Sequence, residues 1–141
     1  VDVEIVPGVT ASTAAAAVLG APLGHDHAVI SLSDLLTPWE TIESRLRAAA
    51  AADLVVVLYN PRSAGRSWQL DTALDILREA RPPGTPVGIV TDAGRTGQHV
   101  ALTPLAEVDT TAVGMTSCVI VGSTTTVLSG GRMVTPRGYH R

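Results

Sequence analysis

Two arginines in one short polar loop are the clearest sign of chemistry in this sequence. Arg62 and Arg66 lie in the segment 59–66, directly after the apolar run 54–58. A guanidinium group binds a carboxylate or a phosphate through two parallel hydrogen bonds, so this pair suits an anionic ligand. An ordinary surface loop with two hydrated arginines fits the same residues equally well, and sequence position alone leaves both interpretations open.

Histidine and serine residues give weaker signals. His25 and His27 flank Asp26, but no cysteine or further histidine stands at metal-ligand spacing, so we expect no metal site. His25 precedes a predicted strand. It is either an ordinary polar loop residue, or a residue that contacts substrate or acts as an acid or base. No serine stands in a Gly-x-Ser-x-Gly sequence, so hydrolase chemistry is not indicated. The turn 94–97 has no phosphate-loop lysine and is interpreted as a tight turn.

The composition excludes several classes of partner. The chain has 141 residues, a formal net charge of -3 and only 3% aromatic residues, which argues against nucleic-acid binding. All ten basic residues are arginines, so the sequence contains no lysine for a Schiff base. No apolar run approaches the roughly 18 residues that a membrane-spanning helix needs. We therefore expect one globular domain with no membrane and no nucleic-acid partner.

The single cysteine bears on the cellular compartment of the protein and does not indicate a catalytic site. Cys118 lies in the apolar run 117–121, which predicts a buried strand residue and not a nucleophile. One cysteine forms no internal disulfide, and no signal peptide is visible, so a cytoplasmic location is expected. The sequence begins at Val1 inside strand-like residues, and we expect it to be a piece of a longer protein.

Alternating strand and helix patterns must position these groups. The sequence predicts an α/β fold whose sheet is parallel at first and mixed towards the end, with helices flanking it. Either Thr10 or Ser12 caps the first helix, and Thr37 caps the second with Pro38 as its first residue. The predicted strands are 3–6, 27–32, 54–59, 86–90, 98–102 and 117–121, with a hairpin of 124–128 and 132–134; the predicted helices are 11–19, 38–52, 68–80 and a short piece at 105–108.

Ligands of open α/β sheets bind beyond the carboxyl ends of the strands. The loop 59–66 follows one such strand end, and the turn 91–97 follows another. The segment 6–12 forms a strand, a turn and a helix start, where unpaired N–H groups face outward. Thr10 there either caps the helix or donates a hydrogen bond to a ligand carboxylate.

The residues themselves point to a family. The sequence Val-Pro-Gly-Val-Thr-Ala at 6–11, an Ala-rich helix and Gly-Ala-Pro-Leu at 20–23 resemble the tetrapyrrole (corrin/porphyrin) methyltransferases. These enzymes transfer a methyl group from S-adenosylmethionine to a ring carbon. The segments 22–26, 28–39, 58–63 and 133–139 resemble the branch that methylates a precorrin at C17 with ring contraction, in cobalamin biosynthesis. The resemblance covers essentially the whole chain.

The resemblance implies a site shared by two domains. Family members hold S-adenosylmethionine between two α/β domains, and they are commonly homodimers. The cofactor contacts of the family match Thr10, Ala11, Tyr59 and Asn60, together with a backbone contact near Ala93 or Gly94.

The same resemblance implies an acidic substrate with many carboxylates. Arg62, Arg66 and Arg95 are then candidate clamps for those carboxylates. Ring contraction would use a general acid or base, for which His25 and Asp34 are the candidates. Methyl transfer needs no nucleophilic side chain, in agreement with the sequence.

One departure from the family pattern is large. The Gly-x-Gly-Pro-Gly loop and the Gly-Gly-Asp segment of the family's N-terminal domain do not occur in these residues. We therefore expect residues 1–22 to end that domain, as strand, turn and helix, and residues 23–141 to form the C-terminal α/β domain. About half of the active site would then be missing, and the fragment alone would be inactive. The alternatives are a related enzyme acting at another ring carbon and a non-catalytic α/β binding module.

Overall fold

A mixed five-stranded sheet forms the centre of the molecule. The structure is a computed structural model and describes residues 1–138. The elements are α1 (Ala11–Leu19), β1 (Gly20–Ala21), β2 (His27–Ser31), α2 (Trp39–Ala51), β3 (Val55–Tyr59), α3 (Gln69–Ala80), β4 (Pro86–Thr91), β5 (His99–Pro104), β6 (Ser117–Val121), β7 (Val127–Ser129) and β8 (Arg132–Val134). The order of strands in the five-stranded sheet is β2-β3-β6-β4-β5, with β2 and β3 parallel and the other neighbours antiparallel. The predicted α/β class with a mixed, partly parallel sheet is confirmed.

Helices cover both faces of this sheet. β3 and β6 lie inside the sheet and are apolar on both faces, so they appear as continuous runs of Val, Ile and Leu. The helices α2 and α3 pack on one face, where Leu46 and Leu74 are fully buried. The Ala-rich helix α1 packs on the other face through Ala15, Ala16 and Leu19.

The approach of α1 to the sheet depends on a glycine in β4. A Cβ atom at Gly88 would lie only 2.7 Å from Leu19 Cδ2. Leu19 is 1% exposed, so its side chain lies in the core and not at the surface. The missing side chain at Gly88 therefore lets the Leu19 end of α1 lie close against the sheet.

A second, small sheet closes the chain. The predicted hairpin forms from β7 and β8, but its first strand lies at 127–129 and not at the predicted 124–128. β8 also pairs in parallel with β1. The sequence did not indicate β1, because two residues are too few to show an alternating pattern.

Two local predictions are wrong. The strand predicted at 3–6 does not form, and residues 1–10 carry no regular structure. Their apolar alternation is real, but a strand needs a neighbouring backbone, and Val3 and Ile5 are 82% and 90% exposed. The second helix begins one residue later than predicted, at Trp39, because Pro38 is extended at ψ 141 and occupies the cap position. Thr37 forms no cap.

No helix among the described residues is long and apolar enough to cross a membrane. Within residues 1–138, no group of three or more His, Cys, Asp and Glu side chains is arranged to hold a metal ion. The division of the chain at residue 22 stays a prediction. The packing of α1 against β4 and β6 is nevertheless part of the same core as the main sheet.

Candidate functional site

A cleft of about 390 Å³ opens where β3 and β4 end. Both strands run antiparallel to β6, so they are parallel to each other and their carboxyl ends share one edge. The N-terminus of α1 lies at the same edge. The volume falls within the range of small-molecule sites, and the position is the one where α/β sheets bind ligands. The cleft brings together five residues that were predicted to bind a cofactor: Thr10, Ala11, Tyr59, Asn60 and Ala93.

Tyr59 links the end of β3 to the start of α1. The backbone N–H of Ser12 donates to Tyr59 Oη at 2.8 Å, which satisfies one of the unpaired donors of the helix start. Thr10 occupies the cap position, and its Oγ1 accepts from Thr13 N at 3.3 Å. Of the two roles left open for Thr10, capping is therefore present, and its hydroxyl also lies in the wall of the cleft.

The two strand ends that border the cleft have unusual backbones. Asn60 has φ 49 and Asp92 has φ 51, in the left-handed region that residues other than glycine seldom adopt. Hydrogen bonds hold Asp92 there: its N–H donates to Thr116 O at 3.2 Å, and its carbonyl accepts from Arg95 N at 2.9 Å. Such conformations cost about 1–3 kcal/mol each and cluster at functional sites. They turn both chains sharply at the cleft.

The turn after β4 places the two candidates for a cofactor contact, Ala93 and Gly94, differently. Ala93 lines the cleft, whereas Gly94 does not. Gly94 instead has φ 72 and donates its N–H to Gln98 Oε1 at 2.7 Å within the turn. Arg95, predicted as a substrate contact, lies in the wall of the same cleft.

The other two arginines donate hydrogen bonds to neighbouring loops. Arg62 Nη1 donates to Thr110 O at 3.1 Å. Arg66 donates to Ser33 Oγ from Nη1 at 3.2 Å and to Asn60 O from Nη2 at 3.3 Å. Neither side chain lines the cleft, although both lie beyond the carboxyl end of β3.

The candidates for acid–base work lie apart. His25 precedes β2 and is at the opposite edge of the sheet, separated from the cleft edge by a strand of roughly 16 Å. Its Nδ1 accepts from Asp26 N at 2.7 Å. Asp34 follows β2 at the cleft edge, where its Oδ2 accepts from Gln69 Nε2 at 3.1 Å. The structure does not bring His25 to the cleft.

Sequence reasoning missed one wall of the cleft. Met115, Thr116, Ser117 and Cys118 line it where β6 begins. Ser117 Oγ lies 2.7 Å from Thr91 Oγ1, which ties the start of β6 to the end of β4. The run 117–121 was recognised as a buried strand, but its direction was not. An antiparallel β6 starts at the edge where β4 ends, and this wall follows from that direction.

Cys118 is a buried thiol at the floor of the cleft. Burial raises the pKa of this thiol from 9.0 to about 11. The thiol is therefore protonated at neutral pH, which agrees with its interpretation as a strand residue and not a nucleophile.

This shift predicts a loss of stability in alkali. Between pH 9 and 11 the unfolded thiol ionises while the folded one stays protonated, so the unfolded state gains roughly 2–3 kcal/mol. Urea denaturation at pH 7–11 should show the free energy of unfolding fall more steeply in the wild type than in Cys118→Ala. Parallel pH profiles for the two proteins would contradict the assignment, and comparing slopes removes any constant cost of the alanine substitution.

The geometry agrees with what this chain is similar to. A model of the tetrapyrrole (corrin/porphyrin) methylases matches residues 1–109. The chain is 54% identical to the "Probable cobalt-factor III C(17)-methyltransferase" of Salmonella typhimurium, over 99% of this chain and 58% of that protein. It is 51% identical to the "Precorrin-3B C(17)-methyltransferase" of a Sinorhizobium species, over 87% of this chain and 48% of that protein. The chain thus spans about half the length of these relatives.

Solved structures give the same result. The crystal structure of the methyltransferase CobJ matches with a TM-score of 0.91 and 40% identity, over 96% of this chain and 56% of that chain. The uroporphyrin-III C-methyl transferase of Thermus thermophilus, in complex with S-adenosylhomocysteine, matches with a TM-score of 0.54 and 25% identity, over 84% and 50%. The family resemblance recognised in the sequence is confirmed: this chain belongs to the tetrapyrrole (corrin/porphyrin) methylase family.

Proposed function

We propose that the protein containing this chain is an S-adenosylmethionine-dependent methyltransferase that methylates a precorrin at C17, with ring contraction, in cobalamin biosynthesis. One observation carries the proposal: Thr10, Ala11, Tyr59, Asn60 and Ala93 line a single cleft. The names of the two curated relatives, both C(17)-methyltransferases, support the position of methylation. The related structure in complex with S-adenosylhomocysteine supports the cofactor.

The residues of the cleft fit this cofactor. Ala11, Ala14 and Ala93 present only methyl side chains, which leaves room for a bulky adenosyl group. Asp92 lies in the same wall, and its negative charge suits a nearby sulfonium or ammonium group. When bound, S-adenosylmethionine would supply an electrophilic methyl group on positively charged sulfur.

The residues of this chain would contribute to catalysis by orienting the reactants. Methyl transfer depends on aligning the ring carbon with the methyl group, and oriented reactants gain about 7–11 kcal/mol over free ones. Tyr59 is held by the Ser12 N–H, and the turns at Asn60 and Asp92 are fixed in left-handed conformations. These contacts hold Tyr59 and the two turns in place, and a site built in this way loses less conformational freedom on binding.

Substrate contacts would come from the rim. Arg95 lies in the cleft wall, and Arg62 has guanidinium nitrogens besides the one bonded to Thr110 O. Both are proposed to bind ring carboxylates, which an arginine holds in a bidentate manner. Asp34 is the proposed acid or base, since it lies at the cleft edge of the sheet. His25 is left out of the proposal because of its place at the opposite edge.

A second domain is proposed to supply the facing wall of the cleft. The chain spans 58% and 48% of the two relatives, and exposed apolar residues precede α1, namely Val3, Ile5, Val6 and Val9. The predicted boundary at residue 22 assigns α1 to that domain. The packing of α1 on the main sheet favours a boundary close to residue 10 instead.

Calorimetry with S-adenosylhomocysteine tests the cleft. Ala14→Trp places a large ring in the cleft and should weaken binding to the whole protein at least about tenfold. Ala17→Trp is the matched control, because Ala17 is exposed on the same helix and does not line the cleft. A whole protein that binds no S-adenosylhomocysteine would overturn the proposal.

Product analysis separates the proposed function from its alternatives. Incubation of the whole protein with S-adenosylmethionine and a precorrin, followed by mass spectrometry and NMR, should show one added methyl group at C17. Methylation at another ring carbon would identify a related enzyme of the same family. Cofactor binding with no methylation would favour a non-catalytic binding module.

Two broader properties stay predictions. The homodimer, which the resemblance implies, is measurable by light scattering of the whole protein. The cytoplasmic location, which the single cysteine suggests, is measurable by cell fractionation.

A further inference from the structure

We propose that Arg66 is a positioning residue that fixes the rim of the cleft and not a clamp for the substrate. This inference rests on the proposed function of the cleft. The Arg66 guanidinium bridges two loops: Nη1 donates to Ser33 Oγ, after β2, and Nη2 donates to Asn60 O, after β3. Only Asn60 of these residues lines the cleft.

Asn60 is a cleft residue whose backbone conformation benefits from such support. Its φ of 49 lies in the left-handed region, which asparagine tolerates better than most residues but less well than glycine. Its side-chain Nδ2 donates to Ser31 Oγ at 3.0 Å, on the side of β2. Arg66 binds its carbonyl oxygen. The side chain and the carbonyl of Asn60 are therefore both anchored, and its backbone is presented to the cleft in one conformation.

The other end of the bridge is equally well anchored. Ser33 N donates to Ser31 Oγ at 3.2 Å, so the same hydroxyl receives both Ser33 and Asn60. The neighbouring Asp34 is bound by Gln69, which is 3% exposed at the start of α3. These bonds join the loops after β2 and β3 into one unit, with Arg66 as its charged cross-link.

The surroundings of the Arg66 guanidinium also argue against a direct contact with the substrate. Arg66 Nε is buried and has no hydrogen-bond partner among residues 1–138. A guanidinium inserted between two loops has fewer donors to offer a substrate carboxylate than one reaching into solvent. Arg62 provides the comparison, because its one hydrogen bond goes to Thr110 O and not to a cleft residue.

The test is a comparison of Arg66→Ala and Arg62→Ala in the whole protein. Three quantities are measured: the Kd for S-adenosylhomocysteine, the KM for the tetrapyrrole, and amide hydrogen exchange of residues 32–36 and 60. We expect Arg66→Ala to raise the Kd about tenfold through the loss of two charge-assisted hydrogen bonds. It should also speed exchange in these two segments, while the KM for the tetrapyrrole changes less. Arg62→Ala should mainly raise the KM for the tetrapyrrole.

The conservative variant and a second substitution sharpen the result. Arg66→Lys keeps the charge but not the fork, so it should recover only part of the affinity. In an Asn60→Gly background the residue at position 60 has no Cβ penalty, so the effect of Arg66→Ala on the Kd should shrink. A raised KM for the tetrapyrrole with unchanged Kd and unchanged exchange would restore the clamp role and overturn the inference. An Arg66→Ala protein with the Kd, the KM and the hydrogen exchange of wild type would also overturn the inference.

Failure of this inference and failure of the proposed function are distinguishable. If wild type binds S-adenosylhomocysteine and Arg66→Ala binds it equally well, only the role of Arg66 is overturned. If wild type does not bind it, the proposed function is overturned, and the positioning role with it.

Discussion

Replacement of Arg81 by alanine is expected to lower the free energy of unfolding by several kcal/mol, about 1–3 kcal/mol for each of the two carbonyl groups that lose their donor. Arg81 is 5% exposed at the end of α3. Its guanidinium donates to Gly122 O, just after β6, and to Leu54 O at 2.6 Å, just before β3. Removal of the side chain leaves both carbonyl groups without these donors and opens a cavity.

A nearby carboxylate helps to keep the buried Arg81 side chain charged. Desolvation lowers the pKa of Arg81, and the Asp53 carboxylate, whose Oδ1 lies 3.9 Å from Nη1, opposes that shift. Asp53 in turn accepts from Thr124 N at 2.9 Å, so the cluster ties α3, β3 and the segment after β6 together. Arg81→Lys should recover only part of the loss, since a single ammonium group cannot match both carbonyls with the arginine's fork.

Urea denaturation of wild type, Arg81→Ala and Arg47→Ala gives the measurement. Arg47 pairs with Glu43 and Glu79 on an exposed surface of α2, so its replacement should cause no comparable loss. Equal midpoints for Arg81→Ala and Arg47→Ala would show that the buried cluster adds nothing beyond a surface pair.

Substitution of Gly88 by valine is the second large effect. The added side chain would collide with Leu19, and overpacking of this kind costs about 1–3 kcal/mol. Besides the loss of stability, we expect an effect on the cleft. Because Leu19 is the last residue of α1, the collision pushes on the helix whose first turn forms a wall of the cleft. Affinity for S-adenosylhomocysteine should therefore fall in the folded variant as well.

Gly84→Val is the matched control for this prediction. A Cβ atom at Gly84 meets nothing within 4 Å, so the same side chain is added without a collision. Thermal melting and calorimetry of both variants, the latter well below the melting temperature, separate the two effects. A folded Gly88→Val protein with wild-type affinity would show that the distance of α1 from the sheet does not shape the cleft.

The sequence indicated the edge of the sheet where the cleft lies better than it indicated the contacts that hold the walls. Periodicity identified the strand that ends at Tyr59, and the rule about carboxyl ends pointed to this edge. The rule applies to parallel strands. β3 and β4 are not neighbours, but both pair antiparallel with β6 and are therefore parallel to each other. The wall at Met115 to Cys118 depends on the direction of β6, which is set by non-local pairing that no local pattern encodes.

Arginine roles were harder still. Residue type indicates that Arg62, Arg66 and Arg95 suit anions, but Arg95 lies in the cleft, whereas Arg66 is bonded to Ser33 and Asn60. A long flexible side chain chooses among partners that only the fold brings near. The strand predicted at 3–6 failed for a related reason, since an apolar alternation gives a preference and pairing requires a neighbour.

The bond between α1 and Tyr59 has a consequence for hydrogen-bond direction. A backbone N–H can only donate, so the phenol oxygen of Tyr59 must be the acceptor from Ser12. The phenol's own proton is not used in this bond, so it stays available to a second partner. Because Tyr59 also lines the cleft, its hydroxyl can still donate to a carboxylate or carbonyl oxygen of a ligand while it holds the start of α1.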